Sequence, residues 1–243
     1  MASMNDTALA FRALHRPGQP VLLANVYDAI TARAVGSLPS CRALATASYT
    51  VTAIAAVAKE LGKPLTVDLQ DGYSERLEEA VQCTIDAGAV GINIEDADKA
   101  VNLYSATEAA ERVRRVVAIA VRNRLPDFVV NARTDTLRHG GVLEDAIVRG
   151  RAYLAAGAFN VVVWGGPQRG GLSRQEVNSL TDAFQGRLNI MRNDMVAGGL
   201  SLQDVAKIGV ARCSMGPFLQ FTLADEAAKA AAAFIGTGPN EST

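Results

Sequence analysis

The stretch Pro64-Leu-Thr-Val-Asp-Leu-Gln-Asp-Gly-Tyr73 joins a short apolar run to a cluster of oxygen-bearing side chains. Its first part, Leu65 to Val67, is apolar and β-branched, which predicts a buried strand. Asp68, Gln70 and Asp71 follow that strand before the turn. α/β enzymes use such strand ends to hold a hard cation or to polarise a substrate. We therefore take this stretch as the centre of a candidate site.

Two later strands end in the same way. Glu95 and Asp96 follow the run Gly91–Ile94, and Arg133 follows the run that begins at Phe128. Three consecutive predicted strands thus end in charged side chains, which predicts one polar cluster where those ends meet. Asp96 also admits the simpler interpretation of a surface loop charge.

Composition limits the classes of function. The chain has 243 residues, 49% hydrophobic and 20% charged, with a net charge of −1. It is long enough for one large domain, and the charge balance predicts no nucleic-acid or membrane partner. No apolar run approaches the roughly 18 residues of a membrane span. The three cysteines lack CxxC spacing, which predicts a reducing cytoplasmic location.

Strand-like and helix-like segments alternate along residues 1–243, so we predict one domain with a lead-in helix at Asp6–His15 and a loose tail at about 236–243. Both histidines, His15 and His139, are expected at the surface. Eight strands alternating with eight helices predict a (β/α)8 TIM-type barrel rather than a doubly wound sheet, whose Gly-rich phosphate loop is absent. The predicted strands are Val21–Ala24, Ala43–Thr46, Leu65–Val67, Gly91–Ile94, Phe128–Ala132, Asn160–Trp164, Leu188–Met191 and Arg212–Ser214.

The predicted helices come between and after these strands, and Ser74 is the expected N-cap of the third. Since barrel enzymes work at the carboxyl ends of their strands, the polar residues at those ends are the candidates. The predicted helices are Tyr27–Val35, Ala53–Leu61, Arg76–Ala87, Thr107–Asn123, Leu143–Ala156, Arg174–Phe184, Leu202–Ile208 and Leu219–Phe234.

Several segments together resemble the phosphoenolpyruvate mutase/isocitrate lyase superfamily, over about residues 20 to 230. The resemblance is specific for the superfamily, but it does not select one reaction within it. The matching segments are Asn25–Ala29, Ala43–Ser48, Val67–Tyr73, Gly91–Asp96, Asn131–Asp135, Asn189–Met191 and Ser214–Pro217.

The resemblance implies Mg²⁺-dependent chemistry on an α-keto acid through a pyruvate-type enolate. By position, Asp68 would bind the metal directly and Glu95 would reach it through water. Arg133 would hold the substrate carboxylate and stabilise the enolate oxygen, with Thr46 and the amide of Ala47 at the other end of the carboxylate. The remaining predicted substrate contacts are Ser48, Trp164 and Asn189.

The chain departs from the family pattern in ways that bear on the reaction. Gln70 stands where the family usually has a second acidic metal-site residue, which predicts weaker Mg²⁺ binding. The connection after Ser48 is short, and the Lys-Lys-Cys-Gly-His loop of isocitrate and methylisocitrate lyases is absent after Glu95. Lys99 and Asn102 are possible substitutes for the Lys and Asn that the mutase and phosphonopyruvate hydrolase place there.

The leading hypothesis is therefore a magnesium-dependent carbon–carbon lyase acting on an α-keto or 2-hydroxy dicarboxylate. Phosphorus–carbon chemistry, as in the mutase or phosphonopyruvate hydrolase, is the alternative within the enzyme class. A non-catalytic keto-acid-binding barrel is the alternative outside it. The resemblance also implies a homo-oligomer, a dimer or tetramer, in which the alanine-rich last helix is swapped between subunits.

Overall fold

A computed structural model of the chain describes residues 3–47, 51–191 and 199–236. Within these ranges, parallel strands alternate with helices. The strand segments are β1 (Val21–Leu23), β2 (Asn25–Val26), β3 (Leu44–Ala47), β4 (Leu65–Asp68), β5 (Gly91–Glu95), β6 (Val129–Thr134), β7 (Asn160–Val163), β8 (Leu188–Met191) and β9 (Arg212–Ser214). The helices are α1 (Met4–Leu14), α2 (Ala29–Gly36), α3 (Val51–Glu60), α4 (Leu77–Asp86), α5 (Ala106–Arg122), α6 (Leu143–Ala155), α7 (Arg174–Phe184), α8 (Leu202–Ile208) and α9 (Phe218–Gly236).

The strands form a closed barrel, although the first one is divided. The sheet runs in the order β1-β9-β8-β7-β6-β5-β4-β3-β2, with parallel pairing throughout. Only Ala24 separates β1 from β2, so one bent strand pairs with β9 through its first half and with β3 through its second. This confirms the (β/α)8 barrel and corrects the continuous strand expected at Val21–Ala24.

Helix α1 covers the amino-terminal end of the barrel. Ala8 and Phe11 are fully buried and pack against Val21, Val90 and Val129, near the starts of their strands. His15 lies just after this helix and is only 8% exposed, so the expected surface position was wrong. Its ring makes edge contacts with aromatic neighbours, which explains why an apparently polar residue is accommodated there.

The turn after β4 is capped differently from the sequence expectation. Ser74 begins a short 3-10 turn, and α4 starts only at Leu77. The side chain of Asp71 is the cap: it accepts from the amides of Tyr73 at 3.0 Å and Ser74 at 3.2 Å, and from the Ser74 hydroxyl at 2.9 Å. Ser74 is therefore a donor to the cap and not the N-cap residue. The Asp71 carboxylate stabilises this turn and is not directed to the metal site.

Helix α9 extends away from the barrel, and residues 220–232 are exposed. Phe221 is 60% exposed although it is a large aromatic residue. The predicted tail lies outside the described residues apart from Gly236. No helix in the described ranges has both the length and the apolar character of a membrane span.

Candidate active site

Asp68 is the last residue of β4, beside Ala47 of β3 and Asn93 of β5. Its Oδ1 accepts from the amide of Gln70 at 3.0 Å, a local turn that leaves the carboxylate half-buried at the barrel mouth. Gln70 has a left-handed φ of 53°, and its carbonyl accepts from the amide of Glu95 at 2.7 Å. These bonds hold the β4 loop against the end of β5.

Glu95 and Arg133 are register partners at the ends of β5 and β6. Arg133 Nη1 donates to Glu95 Oε1 at 2.7 Å, while Nε and Nη2 donate to the two oxygens of Asp135 at 2.6 and 2.9 Å. The guanidinium also lies 4.4 Å from the ring centre of Trp164. Arg133 is therefore fixed on three sides, as a preorganised substrate-binding group must be.

Arg138 adds a second guanidinium to this cluster. It donates to Asp135 Oδ2 at 3.1 Å and lies 5.0 Å from the Trp164 ring centre, with about a third of its side chain exposed. Arg138 was not among the residues predicted from the sequence, although its position three residues after Asp135 was the available signal. The mouth thus combines three carboxylates (Asp68, Glu95, Asp135) with two guanidiniums, a net charge of −1.

Burial and the neighbouring charges together change the ionisation of Glu95. Burial is the largest cause and raises the pKa of Glu95 from 4.5 to about 7, with Asp68 and Asp135 adding to the rise and Arg133 opposing it. Burial opposes the charge of Arg133, but Glu95 and Asp135 outweigh it and raise its pKa. A carboxyl group with this raised pKa is a group that a bound cation would stabilise in its charged form.

We expect the metal-free protein to lose stability as the pH rises from about 4.5 to about 7. A buried acid with a raised pKa binds its proton more tightly in the folded state, so its favourable contribution is complete below 4.5 and is lost through pH 7. The loss should be about 3 kcal/mol, and Glu95→Gln should remove it. Urea unfolding of wild type and Glu95→Gln, with a metal chelator present and across this pH range, measures the free energy of unfolding of each protein. Parallel curves for the two proteins would show that Glu95 is ionised throughout.

Asp96 anchors the other side of the same strand end. It is 2% exposed, so its interpretation as a surface charge was wrong. It accepts from the amide of Asp135 at 2.8 Å, the hydroxyl of Thr134 at 2.6 Å and the hydroxyl of Tyr153 at 2.7 Å. Arg149 also forms an ion pair with Asp96, with Nη1 at 3.2 Å from Oδ2, and we call these contacts the Asp96 network. Strand alternation next to Glu95 was the sequence signal for this buried position.

The structure describes most of the predicted substrate-binding residues, and they differ in their position relative to the mouth. Thr46 is buried near the end of β3, and the backbone of Ala47 pairs beside Asp68. Asn189 is buried in β8 and accepts from the Ser214 hydroxyl at 3.3 Å. Trp164 packs on Arg133, and Ser48 lies outside the described residues.

The loop after Asp96 contains Lys99 and Asn102, the residues proposed from the sequence to replace the Lys and Asn of the mutase and phosphonopyruvate hydrolase. The ammonium of Lys99 lies 5.5 Å from the ring centre of Tyr73. Asn102 bonds back to Asp98 through its amide at 2.8 Å. Both side chains are exposed, and their contacts stay within the loop and the neighbouring β4 turn.

The donor set fits a magnesium ion that is held by few protein ligands. No group of three or more His, Cys, Asp or Glu residues with metal-binding geometry occurs in the described part of the chain. Asp68 and Glu95 nevertheless supply two carboxylates at a mouth of net negative charge, and the Gln70 side chain is exposed nearby. Mg²⁺ usually binds one or two carboxylates and keeps several waters, so this set is sufficient with a chelating substrate.

Comparison with known proteins finds a matching family model and several relatives. The family model described as phosphoenolpyruvate phosphomutase matches residues 11–58 and 50–235. An uncharacterized protein of Mycobacterium tuberculosis is 30% identical over 227 residues, covering 86% of this chain and 82% of that protein. An oxaloacetate decarboxylase of Paraburkholderia xenovorans is 28% identical over 195 residues, covering 68% of this chain and 62% of that protein.

A solved structure shows the same fold along almost the whole chain. The protein, from Burkholderia cenocepacia and provisionally described as a phosphonomutase, is 32% identical with a TM-score of 0.82. The alignment covers 97% of this chain and 100% of that one. The similarity therefore extends well beyond the strand ends that form the mouth.

Proposed function

Because the chain belongs to the phosphoenolpyruvate phosphomutase family, within the phosphoenolpyruvate mutase/isocitrate lyase superfamily, we propose that it is a Mg²⁺-dependent carbon–carbon lyase. Its substrate is an α-keto or 2-hydroxy dicarboxylic acid that is cleaved through a pyruvate-type enolate. The observation that carries this proposal is the meeting of Asp68, Glu95 and Arg133 at one barrel mouth.

Arg133 binds the substrate carboxylate in this proposal. A guanidinium has five N–H donors, and the contacts to Glu95 and Asp135 use three of them. Two donors remain for a carboxylate, and the fixed orientation of the group aligns the bond that breaks. Trp164 forms one wall beside Arg133 and excludes water from it.

Asp68 and Glu95 are the carboxylates that would hold the metal, Asp68 directly and Glu95 through water. When bound, Mg²⁺ supplies Lewis-acid stabilisation of negative charge on the enolate oxygen. Gln70 in place of a second acid leaves one negative charge fewer at the mouth, so we expect weak metal affinity in the absence of substrate. The group that protonates the enolate is unassigned.

The similarity to an oxaloacetate decarboxylase over 68% of the chain supports carbon–carbon cleavage, and the similarity to a phosphonomutase supports the phosphorus–carbon alternative. The absent Lys-Lys-Cys-Gly-His loop argues against isocitrate and methylisocitrate lyase activity. The alternative within the enzyme class is mutase or phosphonopyruvate hydrolase chemistry, and the alternative outside it is a keto-acid-binding barrel.

A substrate panel with Mg²⁺ separates these functions. Oxaloacetate and 2-hydroxy dicarboxylates are tested for keto-acid products, and phosphonopyruvate is tested for free phosphate or phosphoenolpyruvate. Mg²⁺-dependent keto-acid release supports the lyase, and a phosphorus-containing product instead supports the alternative chemistry. Oxalate binding without turnover of any member of the panel would leave the binding barrel as the function.

We also propose that the protein is a cytoplasmic homo-oligomer in which α9 packs on a second copy. Leu22 of β1 is 49% exposed, whereas the outer faces of barrel strands are normally covered by helices. A groove of about 200 Å³ lies over this strand, lined in part by Leu22, Leu38 and Cys213. The exposed apolar residues of α9, including Phe221, match such a groove.

Substituting Phe221 with aspartate should therefore dissociate the oligomer while the barrel stays folded. Light scattering after size-exclusion chromatography measures the mass against the 25.5 kDa subunit. Val121→Asp, on an exposed apolar residue of α5, is the matched control. A wild-type protein that elutes at the subunit mass would contradict the proposed assembly.

A further inference from the structure

Arg212 lies inside the barrel, below the proposed catalytic groups, and its partner Asn93 is the register neighbour of Asp68. It belongs to β9, and its Nη2 donates to the side-chain oxygen of Asn93 on β5 at 3.1 Å. Three strands separate β9 from β5 along the sheet, so the two lie on opposite sides of the barrel. The side chain must therefore cross the interior to make this bond.

The positive charge of Arg212 has no direct counter-charge among the residues that the structure describes. The residue is 0% exposed, and no described carboxylate lies within ion-pair distance of it. Its Nε and Nη1 atoms have no hydrogen-bond partner among the described residues. An unpaired buried charge is strongly destabilising, so the folded protein must neutralise it in another way.

The surrounding side chains are polar and are also incompletely bonded. Asn131 donates to the same Asn93 oxygen at 2.9 Å, and Asn160 is the register partner of Asn131 on β7. Asn131 and Asn160 are 0% exposed, and three of their four side-chain polar atoms have no partner within the described ranges. Nearly all buried polar atoms in proteins are hydrogen-bonded, so the Asn160 Nδ2 donor, like the unused donors of Arg212, indicates a bound acceptor. The two amide oxygens need donors instead, which water can supply.

Asp68 and His15 are the titratable groups whose charges interact with Arg212, and neither forms an ion pair with it. Burial lowers the pKa of Arg212 to about 9, which still leaves it charged at neutral pH, and the field of Asp68 at the mouth opposes this decrease. Below it, burial and then Arg212 lower the pKa of His15 to about 3, so His15 is neutral. The His15 ring bonds the carbonyl of Phe11 through Nδ1 and leaves Nε2 without a partner among the described groups.

We propose that the barrel interior binds a small monovalent anion of the halide class, with the guanidinium of Arg212 as its cationic ligand. A halide neutralises the charge and accepts from the unused N–H groups of Arg212 and from the amide of Asn160. Water can satisfy hydrogen bonds but cannot supply negative charge. The site is structural and lies below the mouth, so it does not depend on the proposed lyase activity.

Thermal unfolding tests the proposal when chloride or bromide replaces gluconate at constant ionic strength, without Mg²⁺ or substrate. The wild-type melting temperature should rise by about 5 °C on halide saturation. Arg212→Met should show no halide dependence. Asn93→Asp should also lose it, because a carboxylate then lies 3.1 Å from Arg212 Nη2 and replaces the anion.

Arg112→Met is the matched control. Arg112 is also buried, but it donates to the backbone carbonyls of Asp71 and Ser74, so its loss should lower stability and leave the halide dependence unchanged. Crystals soaked in bromide should show an anomalous peak beside Arg212 within the barrel. An unchanged halide response in Arg212→Met, or bromide density confined to the surface, would overturn the proposal. If Arg212→Met does not fold, the bromide peak in wild-type crystals and the halide dependence of the Asn93→Asp melting temperature still test the proposal.

Discussion

Asp68→Asn is expected to lower kcat/KM at least about a thousandfold and to abolish stabilisation by Mg²⁺ and oxalate, a mimic of the enolate. Loss of a metal ligand removes several kcal/mol of transition-state stabilisation, and each 1.36 kcal/mol is tenfold in rate. Asparagine keeps an oxygen for the Gln70 amide, so the turn after β4 should survive. Turnover of the best panel substrate and thermal unfolding with both ligands measure the effect.

Asp28→Asn provides the matched control for this substitution. Asp28 caps α2 by accepting from the amide of Thr31 at 2.7 Å, and asparagine is an equally good N-cap. The same chemical change should therefore leave activity, melting temperature and the ligand shift as in wild type. If Asp68→Asn still responds to Mg²⁺ and oxalate as wild type does, the metal is bound elsewhere and the proposed site is wrong.

Arg133→Met is expected to lower the free energy of unfolding by about 3–5 kcal/mol and to eliminate turnover. The substitution leaves Glu95 without its cation and takes two donors from Asp135, which is 0% exposed. Removing one partner of a buried ion pair has this cost because the remaining charge stays desolvated. The contact with Trp164 is lost as well. Urea denaturation at pH 8, where Glu95 is ionised, measures the difference.

Arg138→Met tests whether the cost belongs to Arg133 or to any cation beside Asp135. Arg138 bonds the same carboxylate and contacts the same Trp164 ring, but it is partly exposed, so its loss should cost less than about 1 kcal/mol. Combining Arg133→Met with Glu95→Gln should recover part of the stability, because the second change removes the orphaned charge. Equal costs for the two arginines would contradict this account.

The alternation of eight strand-like with eight helix-like segments was sufficient to predict the barrel. The division of the first strand at Ala24 was not predictable. It depends on which partners the two halves find, and β9 lies nearly 190 residues away from β1 in the chain. Local sequence contains no information on that pairing.

The candidate site could also be predicted only in part from the sequence. Asp68, Glu95 and Arg133 stand at strand ends, and the rule for barrels together with the family resemblance selects them. Asp96 was misinterpreted because its burial depends on Tyr153, which reaches it from α6, 57 residues later. The exchange of roles between Asp71 and Ser74 had a similar origin, since either residue could cap the turn from sequence alone.

The Asp96 network divides the mouth into residues that the fold requires and residues that can be substituted. Asp96, Thr134 and Tyr153 fix the strand ends from behind the sheet. The side chains of Arg138 and Lys99, by contrast, are exposed in part or in full, and neither holds a strand end in place. A library randomised at these two positions should yield folded variants with altered substrate preference, whereas one randomised at Asp96 should yield mostly unfolded chains.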